Sequence, residues 1–345
     1  MLLSRYKMKL LKYISFLSAL LLSVQAQCKP KDHAKVSFAY DVDFQMQFDN
    51  REFYRSAFTP SMTIFGARLT PSVGLAVRQK NGAVHKLMAG IDVMKDFGNS
   101  PVSPGRADAG SPETDPQLSN LNLFREMTMY YSLDRQMGKT GVSLVAGIFP
   151  RRLSEGNYSR AFFSDSLRFY DNNLEGLLVK IHRPQAYYEV GCDWMGMYDT
   201  FRRERFMIFS SGEAKVASVL SLGYSAYLYH YSCSRTSIGV VDNVLLNPYL
   251  KFGFEHLVDM QKLSLRLGWL QAMQNDRELV GKYVFPGGAE LDVEVQKWNV
   301  GIRNELFYGK DMMPYYSTVD PGGYTYGSHL YMGSPFYRVH DDGTA

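Results

Sequence analysis

From Val36 to Asp49 the chain alternates without a break. Val36, Phe38, Tyr40, Val42, Phe44, Met46 and Phe48 fall on one side of an extended backbone, and Ser37, Ala39, Asp41, Asp43, Gln45, Gln47 and Asp49 on the other. Side chains of a strand alternate faces with period 2, so the segment reads as one long strand with an apolar and a polar face. The pattern recurs at Phe65–Val77, Leu87–Val93, Met127–Tyr131, Val142–Ile148, Leu177–Ile181, Tyr188–Trp194, Leu220–Leu228, Leu250–Phe254 and Leu263–Trp269. Buried parallel strands read instead as continuous apolar runs, so the pattern predicts an antiparallel sheet with one wet face. A weaker strand around Phe206–Phe209 and two from the 289–308 region bring the predicted strands to 13 through Tyr308.

The 289–308 region shows a change of parity. Ala289, Leu291, Val293 and Val295 are apolar at odd positions, whereas Trp298, Val300, Ile302, Leu306 and Tyr308 are apolar at even ones. A two-residue turn at Gln296-Lys297 would keep both sets on one face and pair Val295 with Trp298 and Val293 with Val300. A β-bulge in a single strand is the competing account; the hairpin is preferred because every cross-strand pair it makes is compatible.

Connection lengths alternate too. Short turns near Asn81-Gly82, Met137-Gly138, Pro184, Ser211-Gly212, Val258-Asp259 and Gln296-Lys297 interleave with long segments near 50–60, 98–121, 150–173, 232–246, 273–287 and 309–325. The connection near 198–203 is the exception, short in a long slot. Sorting of loop length by side is the habit of barrels that cross a bilayer, with lipid outside and water inside. The expectation is an all-β, transmembrane antiparallel β-barrel of about 14 strands. The fourteenth would lie within Tyr324–Val339; otherwise the chain is a 16-stranded type lacking its C-terminal strands.

Composition changes this picture at one place. Arg5, Lys7, Lys9 and Lys12 precede an apolar run over Tyr13–Val24 and the small-residue site Val24-Gln25-Ala26, which reads as a signal peptide over residues 1–26. The barrel then occupies 27–345. Without the leader, 34 basic residues face 34 acidic ones, so the basic balance of the full chain implies no nucleic-acid partner. Cys28, Cys192 and Cys233 are too few for a disulfide framework.

At this level the chain resembles the outer-membrane β-barrel proteins of Gram-negative bacteria. The stretches FDNREF, GIFPRR, FSDSLRFYDNNLEGLL, DWMGM, FYG and GSPFYR look like those of a porin-like, uncharacterised family of such barrels. The resemblance implies a barrel architecture and a location in the outer membrane; outer-membrane lipid and small polar solutes are the expected partners, with no cofactor. It names no substrate.

Candidate residues follow from parity and loops. The inward face should hold Asp41, Asp43, Asp92, Glu126, Glu189, Asp193, Glu290, Asp292 and Glu294, against the basic Arg68, Arg266 and Arg303. An acidic lining of that kind would favour cations and neutral solutes. The 151–173 loop carries Arg151, Arg152, Arg160, Asp165 and Arg168 beside Phe162, Phe163, Phe169 and Tyr170. It either folds into the pore or caps the rim. No metal-binding, nucleotide-binding or nucleophile-elbow motif is present. One local pair stands out: His230 and Ser232, two residues apart on the outward parity at an outer strand end, as in outer-membrane phospholipases. That family continues with Asn-Gly where this chain has Cys233-Ser234, and has a glycine where Tyr227 stands. The reading is therefore a passive, acid-lined porin without enzymatic activity. A surface-binding barrel is the alternative, and a barrel-embedded lipid hydrolase the second alternative.

Overall fold

A computed structural model describes residues 34–52, 62–97, 124–254, 259–319, 323 and 326–338. The leader reading and the 98–121 connection lie outside these residues. The described chain is almost entirely β. Its strands are β1 (Lys35–Arg51), β2 (Met62–Arg78), β3 (Val84–Asp96), β4 (Phe124–Met137), β5 (Thr140–Pro150), β6 (Asn173–Arg183) and β7 (Ala186–Gly196). They continue with β8 (Arg205–Lys215), β9 (Leu220–Tyr231), β10 (Val241–Gly253), β11 (Lys262–Asp276), β12 (Gly287–Lys297) and β13 (Val300–Gly309). Each pairs antiparallel with the next in one 13-stranded sheet, consistent with a barrel of about 14 strands. Among the described residues no helix is long and apolar enough to cross a membrane.

The register converts the sequence alternation into two surfaces. Phe44 pairs with Leu69 and Phe48 with Phe65, so apolar neighbours share the outward face. The usual burial rule is inverted: Phe38 and Ile302 are 67% and 69% exposed, whereas Asp92 and Glu189 are 0% and 1% exposed. Hydrocarbon is the solvent that accepts such an outer face.

Three expectations about connections are corrected. Ser211-Gly212 is not a turn but lies inside β8, and the chain reverses over 216–219, where Val216 N–H donates to Leu220 O at 2.9 Å. The small residues are needed by the wall: Ser211 Oγ meets Tyr187 OH at 3.0 Å, and a Cβ on Gly212 would come within 3.1 Å of the Tyr224 ring. The β12–β13 hairpin exists, but its turn is Trp298-Asn299, so Val295 faces Ile302 and Val293 faces Asn304. Parity cannot separate turns two residues apart, because both keep the same faces together; the later turn gains the pair Lys297–Val300. Trp298 itself takes the left-handed conformation, with φ 53°. Finally, the described residues of 324–339 form no strand but two 3-10 turns, Gly327–His329 and Pro335–Tyr337.

Those residues fill the interior instead. The connection between β5 and β6 opens with a 3-10 turn, Arg151–Leu153, and contains one short helix, α1 (Asp165–Tyr170), N-capped by Ser164. It bonds to strands all round the sheet. Arg152 pairs with Asp41 on β1, Arg68 of β2 donates to Phe169 O, and Asn172 donates to Asp92 on β3 at 3.4 Å. Ser154 reaches Glu189 on β7 at 2.6 Å, Asn157 reaches Glu213 on β8 at 3.2 Å, and Ser159 reaches Glu290 on β12 at 2.5 Å. Only a segment lying across the inside touches all of these. Of the two loop readings, the inward one holds. Phe162, Phe163, Tyr331 and Tyr337 then build an aromatic core against the wall, with Phe162–Tyr227 and Phe163–Phe209 in edge contact at 5.3 and 5.7 Å. The two inserted segments meet at Gly333, where a Cβ would lie 2.1 Å from Ala161 O.

Candidate functional site

The inward residues singled out from sequence sit on the inner face, mostly in ion pairs or hydrogen bonds. Arg68 and Asp92 pair at 2.6 Å with side chains 3% and 0% exposed, and Asn173 donates to both Asp92 (2.9 Å) and Glu126 (2.6 Å). Arg151 binds Asp171 at 2.6 Å and Asp193 at 3.4 Å. Glu189 accepts from Ser154, Glu155 N–H and Tyr158 OH. Glu290 accepts from Ser159, Tyr337 OH (2.9 Å) and Asn247 (2.8 Å), and Arg266 lies 3.6 Å from it. Arg303 binds Asp292 at 2.7 Å, Lys262 binds Glu294 at 2.6 Å, and Arg152 spans Asp41 and Asp43. Arg160 bridges Asp165 at 3.2 Å and Glu305 at 3.8 Å, while Arg168 lies on the exposed side of α1. Burial and the neighbouring Glu189 raise the pKa of Tyr158; burial and Glu290 do the same for Tyr337. Both phenols therefore stay neutral donors.

A different arrangement stands on the outward face. The register lines up Trp194, Phe206, His230, Asp242 and Asn275 in one row across β7 to β11. The row lies at the end where the long connections emerge. Phe206 stacks on Trp194 at 5.3 Å and against the His230 ring at 5.0 Å. His230 Nδ1 faces Asp242 Oδ1 at 3.6 Å, with the side chains 22% and 14% exposed. Arg277, just past β11, grips the same carboxylate with two hydrogen bonds of 2.7 and 3.0 Å. Hydrogen bonding and the charge of Asp242 raise the Arg277 pKa further above its usual range. Tyr283 OH approaches Asp242 at 3.5 Å. Ser232, two residues past His230, anchors its N–H on Glu204 O at 2.9 Å, and its Oγ faces Cys233 Sγ at 3.8 Å.

A histidine whose Nδ1 faces a carboxylate presents Nε2 as a base for a hydroxyl or water brought within its reach. Sequence reasoning found His230 and Ser232 but missed Asp242, Asn275 and Arg277. It assigned 232–246 to a connection, whereas β10 begins at Val241. The available signal was that Asp242 shares even parity with Val244, Leu246, Leu250 and Phe252, which puts a carboxylate on the lipid-facing parity, an expensive place for one. No group of three or more His, Cys, Asp or Glu side chains with metal-binding geometry occurs among the described residues.

A family model described as lipid A 3'-O-deacylase-type matches residues 29–331. No curated protein and no solved structure gives a significant match. The family match overturns two expectations, that of a passive porin and that of a chain without enzymatic activity. It also leaves small polar solutes without support as partners. An all-β chain of a family named for a lipid of the outer membrane fits that location. The resemblance to outer-membrane barrels holds at that level; the porin-like part of it does not. The filled interior gives the physical reason. Of the acids that parity places on the inner face, Asp41, Asp92, Glu189 and Glu290 are bonded to the inserted segment.

Proposed function

The chain belongs to the lipid A 3'-O-deacylase-type family, and from that premise we propose that it is an outer-membrane hydrolase that cleaves acyl esters of lipid A. The orientation proposed puts residues 1–26 as a leader, the mature N-terminus in the periplasm and the long connections outside. The outward row at the long-connection end then sits level with the headgroups of the outer leaflet. The observation that carries the reading is the His230–Asp242 pair on the lipid-facing wall, at 3.6 Å. Charged and polar groups on that face are costly unless they have work to do.

In the proposed reaction, Ser232 Oγ leaves its weak sulfur contact and attacks the ester carbonyl while His230 Nε2 takes its proton. Asp242 stabilises the imidazolium through Nδ1, and Arg277 holds Asp242 in place. Collapse of the tetrahedral adduct expels the sugar alkoxide, which takes the proton from His230. Water, deprotonated by His230, then releases the fatty acid from the acyl-serine. The inner charged residues, Asp92, Glu189 and Glu290 among them, serve to anchor the inserted segment and stiffen the wall behind the site.

The test is fatty-acid release from purified lipid A by the folded protein in detergent micelles, followed by mass spectrometry. His230→Ala and Ser232→Ala should each lower turnover by about 100-fold or more. Both variants should still give the compact, heat-modifiable band of a folded barrel. Wild-type protein that folds and releases no acid would refute the reading. So would a His230→Ala protein of full activity. Full activity in Ser232→Ala alone would replace the serine with water as nucleophile.

A further inference from the structure

Asn275 belongs to the same row yet plays no part in the proton path. It pairs with Asp242 across β10 and β11, which puts the two side chains on one face. Arg277, two residues on and of the same parity, confirms that face by reaching Asp242. Asn275 is nevertheless only 8% exposed, and its Oδ1 is buried without a hydrogen-bond partner. The connection that follows β11 folds back beside it, with Gln274 and Val284 exchanging backbone hydrogen bonds of 3.0 and 2.8 Å. A buried carbonyl oxygen without a donor is rare in a folded protein, and where it occurs it needs a reason. Neighbouring Asp242, an acceptor with its own donors in Arg277, cannot supply one.

We infer that Asn275 Oδ1, two strands from His230 along the same row, is a recognition acceptor that takes a hydrogen bond from an O–H or amide N–H of the substrate. This rests on the reading of the His230 face as the hydrolytic site. An ester group has no donor of its own. The oxygen is therefore satisfied only by a substrate that brings a donor of its own, such as a hydroxyl on the acyl chain or an amide beside the alcohol. A site with an acceptor waiting for a donor discriminates strongly against analogues that lack it, because the protein group is then left unpaired. Asn275 is on this account a specificity-determining residue.

Three esters of equal chain length test it with the full-length protein in micelles. They are p-nitrophenyl decanoate, p-nitrophenyl 3-hydroxydecanoate, and the decanoate ester of N-acetylethanolamine read by acid release. The wild type should favour one or both donor-bearing esters by about 10- to 100-fold in kcat/KM over the plain ester. Whichever is favoured identifies the source of the donor, acyl hydroxyl or neighbouring amide. Asn275→Leu should collapse the preference towards one, and Asn275→Ser, which keeps an acceptor oxygen, should retain part of it. An active wild type without preference, or a preference that survives in Asn275→Leu, overturns the Asn275 role alone. A folded wild type that cleaves none of the esters and no lipid A overturns the hydrolase reading and this role with it.

Discussion

Replacing Asp242 by Asn keeps the shape of the outward row and removes one charge. The size of the effect follows from the geometry. An imidazolium on His230 and the carboxylate, 3.6 Å apart, attract each other by about 4–5 kcal/mol at an effective dielectric constant near 20. Two features reduce that figure. Arg277 already draws on the same carboxylate through two hydrogen bonds, and both members of the pair are partly exposed. About 2–3 kcal/mol of transition-state stabilisation should remain, or a loss of roughly 30- to 150-fold in kcat/KM on Asp242→Asn. Arg277→Leu should behave differently. Its own side chain is more than half exposed, so the loss should stay within about fivefold. The assay is initial-rate fatty-acid release from lipid A, normalised to the folded fraction on a heat-modifiability gel. A folded Asp242→Asn protein within threefold of wild type would refute the role given to the carboxylate. A loss from Arg277→Leu as large as that from Asp242→Asn would move the role to the guanidinium.

Three further outcomes are expected. Leu267→Arg, on the lipid face, should cost about 2–4 kcal/mol of folding stability if it sits near the midplane, while Gln45→Arg on the inner face should be mild; equal tolerance in a urea titration would contradict the assigned faces. Gly333→Ala should lower the urea midpoint by the equivalent of about 1–3 kcal/mol, since the new methyl meets Ala161 O where the inserted segments touch; an unchanged midpoint would mean the contact does not exist. Burial pushes the hydroxyls of Tyr158, Tyr331 and Tyr337 above their usual value of 10.0. Their contribution to stability is therefore complete below about pH 10 and lost as pH rises beyond it, when the unfolded chain's tyrosines ionise. A urea midpoint at pH 11 no lower than at pH 8 would contradict their burial.

Much of the wall was legible in the sequence. Thirteen strands, their two faces and the alternation of short and long connections all follow from a period-2 pattern that each strand carries locally. Lipid on one side makes that pattern nearly obligatory, because a one-residue slip would turn every charged inner residue into hydrocarbon. Parity also identified Asp92, Glu189 and Glu290 as inward, and His230 as outward at a strand end.

What parity cannot carry is anything that depends on which residues meet across the sheet or across the interior. The turn at Trp298-Asn299 and the one proposed two residues earlier have the same faces, so only the assembled register separates them. The aromatic 151–172 segment fits a capped rim as well as a filled pore. Its place inside is decided by partners on β1, β7 and β12 that lie far from it in sequence, such as Glu290, 131 residues beyond Ser159. The site shows the same limit. His230 and Ser232 are sequence neighbours and could be noticed, whereas Asp242, Asn275 and Arg277 join them only because β9, β10 and β11 pair in one particular register. Faces are a property of a single strand, but a constellation is a property of several strands held at fixed stagger, and only the tertiary structure sets that stagger.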